Sequence, residues 1–192
     1  MVAKPRYIGG IIFRVLWYSM RDNKKTIWTI GHSTRGIDEF IEMLQGSGIE
    51  WLVDIRTFPG SRRYPHFNKE HLSDGLKQAG IGYRHMIDLG GRRKPDPDSS
   101  NTAWRHPSFR GYADYMQTSS FVEAATALEE LALRTRVCYM CSEAMWWKCH
   151  RALVSDYLKA RDWTVCHIMG RDKVTEHPYT SPAKTSQGKL FY

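Results

Sequence analysis

The chain's 192 residues are 42% hydrophobic and 25% charged, which is material for one substantial core and excludes a disordered or collagen-like chain. Lysine and arginine total 28 against 20 acidic residues, yet residues 1–25 hold six of those bases and one acid, leaving only +3 on residues 26–192. The charge of the body therefore identifies no partner.

Residues 1–25 form an extension to which the pattern assigns no element. Its apolar stretch, Ile8 to Met20, is broken by Arg14 and is shorter than the ~20 apolar residues a bilayer crossing needs. It has no small-x-small cleavage site, so neither a membrane span nor a secretory signal is expected. From Thr26 the pattern becomes regular. Thr26–Ile30 reads as a strand ending in Gly31-His32-Ser33-Thr34, and Ile37, Phe40, Ile41 and Leu44 then recur at helical spacing until Gly46 and Gly48 stop the helix. Trp51–Ile55 is a second strand, followed by a loop rich in Pro, Gly and Arg over 57–68. A helix carrying Leu72, Leu76 and Ala79 on one face leads to a third strand, Ile81–Met86.

The stretch 89–107 is polar and holds Pro95, Pro97 and Pro107. Loops of this length in compact domains are usually functional or disordered. Helical patterns over 109–116 and 121–133 precede a strand at Val137–Cys141, a helix from about Lys148 to Ala160 and a strand at Thr164–Met169 that includes His167. After Gly170 no period is visible, and 185–192 reads as a tail. The alternation predicts a single α/β domain over 26–184, with a mostly parallel sheet covered by helices on both faces. In such sheets ligands bind beyond the carboxyl ends of the strands, which makes the strand ends a site prediction.

Reactive residue types gather at those ends. His32 and Ser33 follow the first strand. Asp54 and Arg56 close the second, ahead of Ser61 and Arg62. Cys141 and Glu143 end the fourth, and Cys149, His150 and Arg151 follow. Asp-x-Arg is also a common ion pair that holds a loop. Cys138-x-x-Cys141 with Cys149-His150 superficially offers four zinc ligands. However, residues three apart in a strand point to opposite faces, and no second knuckle is present. No metal is expected, with Cys141, Cys149 and His150 the only set through which zinc would bind.

In the first turn of the helix, Cys149 would have its thiol pKa lowered by the helix dipole and by Arg151 and His150. Alternatively it is a buried packing cysteine. Glu143 inside the turn repels an anion, so the turn does not suit a phosphate cradle. A carboxylate there suits proton transfer or stabilisation of an oxocarbenium-like transition state. Trp146 and Trp147, with Arg62 in one loop and Arg92 in the next, interleave aromatic and cationic groups as base stacking and phosphate contact require. Ordinary loop basicity and core tryptophans account for the same residues.

Several stretches match, in order, a bacterial family known only as domain of unknown function 488. They are Thr29-Ile30-Gly31-His32-Ser33, Val53 through Arg63, His66-Phe67-Asn68, Leu89-Gly90-Gly91-Arg92-Arg93, Phe109 through Met116, and Met140 through Arg151. Ser142 stands where alanine is more usual. The chain resembles this family from about Thr26 to Ala183. The resemblance implies the α/β fold and marks His32, Asp54, Arg56, Arg92, Glu143, Cys149, His150 and Arg151 as site positions, but supplies no reaction.

The residues themselves point first to an enzyme hydrolysing an N-glycosidic bond in a nucleobase or nucleotide substrate, with DNA as the expected context. Glu143 or Asp54 would orient water or stabilise sugar charge, and His32 or His150 would carry the proton. Ser33, Arg56, Ser61, Arg62, Arg92 and Arg151 would hold the substrate, with Trp146 or Trp147 stacking on an extruded base. The alternatives are a thiol-dependent enzyme using Cys149 and a non-enzymatic nucleic-acid-binding module. Four cysteines, three of them within twelve residues, in a chain able to fold without staples suggest a reducing cytoplasm.

Overall fold

The computed structural model describes residues 25–186 and 189–192, so the extension over 1–24, with its Ile8–Met20 stretch, lies outside the described residues. The strands of the main sheet are β1 (Thr26–Gly31), β2 (Trp51–Asp54), β3 (Gly82–His85), β4 (Val137–Cys141), β5 (Thr164–Gly170) and β6 (Lys173–Glu176). They are ordered β3-β2-β4-β1-β5-β6; the first five are parallel and β6 runs antiparallel on β5. The helices are α1 (Ile37–Gly46), α2 (Lys69–Gln78), α3 (Pro107–Tyr115), α4 (Ser119–Ala132) and α5 (Arg151–Lys159). Among the described residues no helix is long and apolar enough to cross a membrane.

Central strand β4 is buried along its whole length, as expected for a strand covered on both sides. Its alternation sends Val137 and Tyr139 into one core and Cys138 and Met140 into the other. The first core is closed by Tyr112 and Ala113 of α3, Phe121, Ala125 and Leu128 of α4, and Ala152, Leu153 and Leu158 of α5. The second is closed by Phe40, Met43 and Leu44 of α1 and Leu72 and Leu76 of α2. Each such buried leucine or phenylalanine contributes about 1.5–3 kcal/mol.

This topology places the site. The chain leaves β1 over one face through α1 and leaves β4 over the other through α5, so a crevice opens beyond the carboxyl ends of these adjacent strands. Both ends stay tied as they diverge, with His32 N–H donating to the Cys141 carbonyl at 3.0 Å and Ser33 N–H to the Ser142 carbonyl at 2.9 Å. Gly31 permits this approach: a Cβ there would collide with the Glu143 carbonyl oxygen.

Two local readings differ from the structure. The tail beyond Gly170 is ordered into β6 and an antiparallel pair, β7 (Lys184–Ser186) and β8 (Lys189–Phe191), which includes part of the stretch read as a tail. All of β6 and β7 is exposed, so these strands lack the inward apolar alternation that makes a strand visible in sequence; polar edge strands also resist unwanted pairing. The helix expected from Lys148 instead begins at Arg151, after a 3₁₀ turn at Trp146–Lys148. Extended backbone at Cys149 (φ −136°, ψ 152°) separates the two.

Candidate active site

A cavity of about 880 Å³ occupies the crevice, within the range of small-molecule sites. Nine of the residues singled out from sequence line it: His32, Ser33, Arg56, Ser61, Arg92, Cys141, Glu143, Cys149 and His150. Two of them, Ser33 (φ 53°) and Arg92 (φ 61°), hold left-handed backbone without being glycine, a strain that concentrates at functional sites.

The best-organised group is sulfur. Cys149 is 6% exposed at the cavity wall, and its Sγ lies 3.4 Å from Nδ1 of His150. The other ring nitrogen, Nε2, lies 3.1 Å from the Ile55 carbonyl oxygen. A carbonyl only accepts, so Nε2 carries the proton and the unprotonated Nδ1 faces the sulfur. Burial holds the His150 pKa below its ordinary value, keeping the ring neutral. Burial alone would raise the Cys149 thiol. The Cys141 S–H, the Arg151 guanidinium and the Arg151 backbone N–H outweigh it and lower the pKa to about 7. The expected helix-end effect is thus delivered by one backbone N–H, because Cys149 precedes α5 rather than sitting in its first turn.

Arg151 lies beneath the cavity. Its guanidinium donates from Nε to Cys141 Sγ at 3.1 Å, from Nη1 to Thr29 Oγ1 at 3.1 Å, and from Nη2 to the carbonyls of Glu143 at 2.5 Å and Ala144 at 3.3 Å. It binds the protein's own groups and does not line the cavity, in contrast to the substrate-holding role expected of it.

Asp54 is also withdrawn. Fully buried, it accepts from Arg56 N, Nε and Nη2 and from the Tyr83 hydroxyl at 2.9 Å. The Asp-x-Arg spacing here is a loop-holding ion pair. Arg56 also donates to the Phe67 carbonyl at 2.8 Å and places Nη1 3.4 Å from Nε2 of His32. His32 Nδ1 lies 2.9 Å from the Ser33 carbonyl, and its ring stacks on Phe67 at 4.2 Å. Burial, then Arg56, lowers the His32 pKa to about 4. His32 is therefore held as a neutral ring on the cavity wall, with Arg56 beside its Nε2.

Arg62, Trp146 and Trp147 lie off the cavity wall as well. Trp146 stacks flat on His167 at 4.6 Å and meets His177 edge-on. These histidines form a buried chain in which His177 Nε2 lies 3.0 Å from Asp156 Oδ1 and His177 Nδ1 lies 2.9 Å from His167 Nε2. Trp146 thus caps a buried polar cluster, with one face of its ring taken by His167. Ser61 Oγ accepts from Tyr64 N–H and shapes its own loop. Glu143 and Arg92 are exposed on the wall, the latter with its guanidinium 5.5 Å from the Phe58 ring.

The sequence reading missed Phe58, His106, Phe109, Tyr112 and Lys148 of the lining. The length of the 89–107 loop was the available signal for His106. Among the described residues no group of three or more His, Cys, Asp or Glu has a metal-holding arrangement. Within the set Cys141, Cys149 and His150, the Arg151 cation already occupies Cys141 Sγ.

Acid sensitivity follows. His32 and His167 have folded pKa values lowered, first by burial, to about 4 and about 2, whereas the unfolded chain titrates near 6.5. Below about pH 6.5 the unfolded state binds protons that the folded state refuses, so stability is fully present above that pH and declines beneath it. Between about pH 7.5 and 5.5 each ring removes roughly 1.4 kcal/mol. A urea midpoint unchanged over that interval would contradict this assignment.

Comparison with known proteins adds one finding: the model of the family described as Domain of unknown function DUF488 matches residues 36–158. No curated protein and no solved structure matches the chain. The matched stretch runs from α1 to α5 and contains Cys141, Glu143, Cys149, His150 and Arg151.

Proposed function

The chain belongs to the DUF488 family, and because that family's description names no activity, we propose a function from the site: a thiol-dependent enzyme with Cys149 as nucleophile and His150 as its proton acceptor. The observation that carries the reading is the placement of Cys149 Sγ at the cavity wall, 3.4 Å from a ring nitrogen whose partner nitrogen is tied to Ile55. A base oriented by a third group beside an accessible nucleophile is the arrangement that activates a thiol. Thiolate reactivity also requires an electropositive, partly exposed setting, which Arg151 and the cavity supply. All four cysteines are free, which suits a reducing compartment, and we place the protein in the cytoplasm.

One observation favours a second reading. Glu143 faces the same cavity as the cations Arg92 and Lys148 and the rings of Phe58, Tyr64 and Phe109. That wall suits a phosphate-bearing, base-bearing ligand, and hydrolysis of an N-glycosidic bond in nucleic acid or a nucleotide would use Glu143 as acid or as stabiliser of sugar charge.

Alkylation separates the two. Cys149 is expected to react with iodoacetamide with a half-maximal rate near pH 7, and the reaction disappears in Cys149→Ser. A midpoint at the ordinary thiol value, about 8.5, overturns the thiol reading. Glu143→Gln leaves that profile unchanged if sulfur is the reactive centre. If the carboxylate is, the same variant lowers N-glycoside turnover by about 10²–10⁴ while the fold persists.

A further inference from the structure

We propose that Cys141 is the resolving partner of Cys149 and that the pair reduces a low-molecular-weight disulfide bound in the cavity; the inference rests on Cys149 being the nucleophile. Both residues line the same cavity, and the two thiols are near enough that each acts on the other's pKa, raising that of Cys141 and lowering that of Cys149. At 6% against 2% exposure, Cys149 is the more accessible, with Cys141 behind it. The Arg151 guanidinium donates from Nε to the Cys141 sulfur at 3.1 Å, and its charge favours the thiolate of either cysteine.

A second thiol in contact with the nucleophile has no use in hydrolysis at carbon, where it would compete with water. It has a direct use when the covalent intermediate is a mixed disulfide. In the first step the Cys149 thiolate attacks one sulfur of R–S–S–R. The Cys149–S bond forms, the substrate S–S bond breaks, and RS⁻ leaves to take a proton from solvent. In the second, Cys141 loses its proton to Nδ1 of His150 and attacks Cys149 Sγ. A Cys141–Cys149 disulfide forms, and the second RS⁻ leaves with the proton from His150. Two electrons pass from the cysteines to the substrate, and a dithiol reductant resets the pair. Burial and the neighbouring Cys149 keep Cys141 protonated in the resting state. Once Cys149 is capped, the Arg151 cation beside Cys141 is available to its thiolate alone.

The test is incubation of the whole protein with oxidised glutathione, read by intact mass and peptide sequencing. The wild type is expected to lose two hydrogens and carry a Cys141–Cys149 bridge. Cys141→Ser is expected to stop at one glutathionyl group on Cys149. Cys149→Ser is expected to acquire neither modification at Cys141. Fast alkylation of Cys149 in Cys141→Ser reports that this variant is folded. A wild type that stops at the glutathionyl adduct, or that bridges Cys149 to a different cysteine, overturns the inference and leaves the nucleophile reading standing. A Cys149 inert to both glutathione disulfide and iodoacetamide removes both.

Discussion

Arg151→Met is expected to lower stability by about 3–5 kcal/mol and to return Cys149 to an ordinary thiol, two effects from one side chain. At 1% exposure, Arg151 is among the largest fully buried side chains in the protein. Its loss takes a donor from each of the Glu143 and Ala144 carbonyls and the Thr29 hydroxyl, leaving the Glu143 carbonyl only the long bond from the Cys141 thiol. A buried group stripped of its partner costs about 1–3 kcal/mol. The effect on sulfur has a separate origin. Among the described residues Arg151 makes no ion pair with a carboxylate. A guanidinium so deeply placed needs a counter-charge. Burial opposes its charged form, and Cys141 and Cys149 are what raise its pKa above the ordinary arginine value. The cation and the Cys149 thiolate thus stabilise each other. Arg151→Lys keeps the charge without the planar fork, so it should preserve part of the thiol acidity and little of the carbonyl bonding. Urea unfolding and the alkylation–pH profile of both variants measure the two effects. A methionine variant with its alkylation midpoint still near 7 would show that Arg151 does not set the thiol.

The alternation of apolar runs with helical spacing was enough to read the parallel sheet, since β1, β2, β4 and β5 are short apolar strands separated by amphipathic helices. From there the rule about strand ends selected His32, Cys149, His150 and Glu143, which do share one cavity. What the sequence could not show was the direction in which each side chain turns. Trp146 and Trp147 read as a stacking platform because aromatic neighbours in a basic loop fit that use. Trp146 turns instead onto His167 and His177, residues of β5 and of the polar segment beyond β6, and no local spacing encodes that contact. Arg151 and Cys149 were misplaced together. Starting the helix at Lys148 puts the cysteine inside the first turn, and helix boundaries are the least secure part of a pattern reading. The extended residue at 149 sets the sulfur on the cavity wall beside His150 and leaves the arginine to open the helix. Cys141, weighed as a zinc ligand, gained its meaning from the guanidinium beside it.

Asp54→Ala is expected to be as damaging to the fold as any change at the cavity floor, about 3–5 kcal/mol, because it leaves the Arg56 cation buried and unpaired. Arg56 is 6% exposed, and three of its groups, N, Nε and Nη2, bond the Asp54 carboxylate. Through Nη1 it then reaches His32, and through Nη2 it holds the Phe67 carbonyl, whose ring carries His32. Asp54 therefore acts on the cavity by fixing Arg56 and His32, with the Tyr83 hydroxyl as its fourth donor. Asp54→Asn keeps the volume and one acceptor oxygen but removes the charge, so it should recover only part of the loss. The double change Asp54→Asn with Arg56→Met removes both charges and should be more stable than either single variant, since a neutral pair no longer strands an ion in the core. Chemical denaturation of the four proteins measures the coupling, and alkylation of Cys149 near pH 7 tests whether the cavity survives. If Asp54→Asn keeps the wild-type urea midpoint yet abolishes turnover, the carboxylate belongs to the chemistry, and its burial behind Arg56 would describe only the resting arrangement.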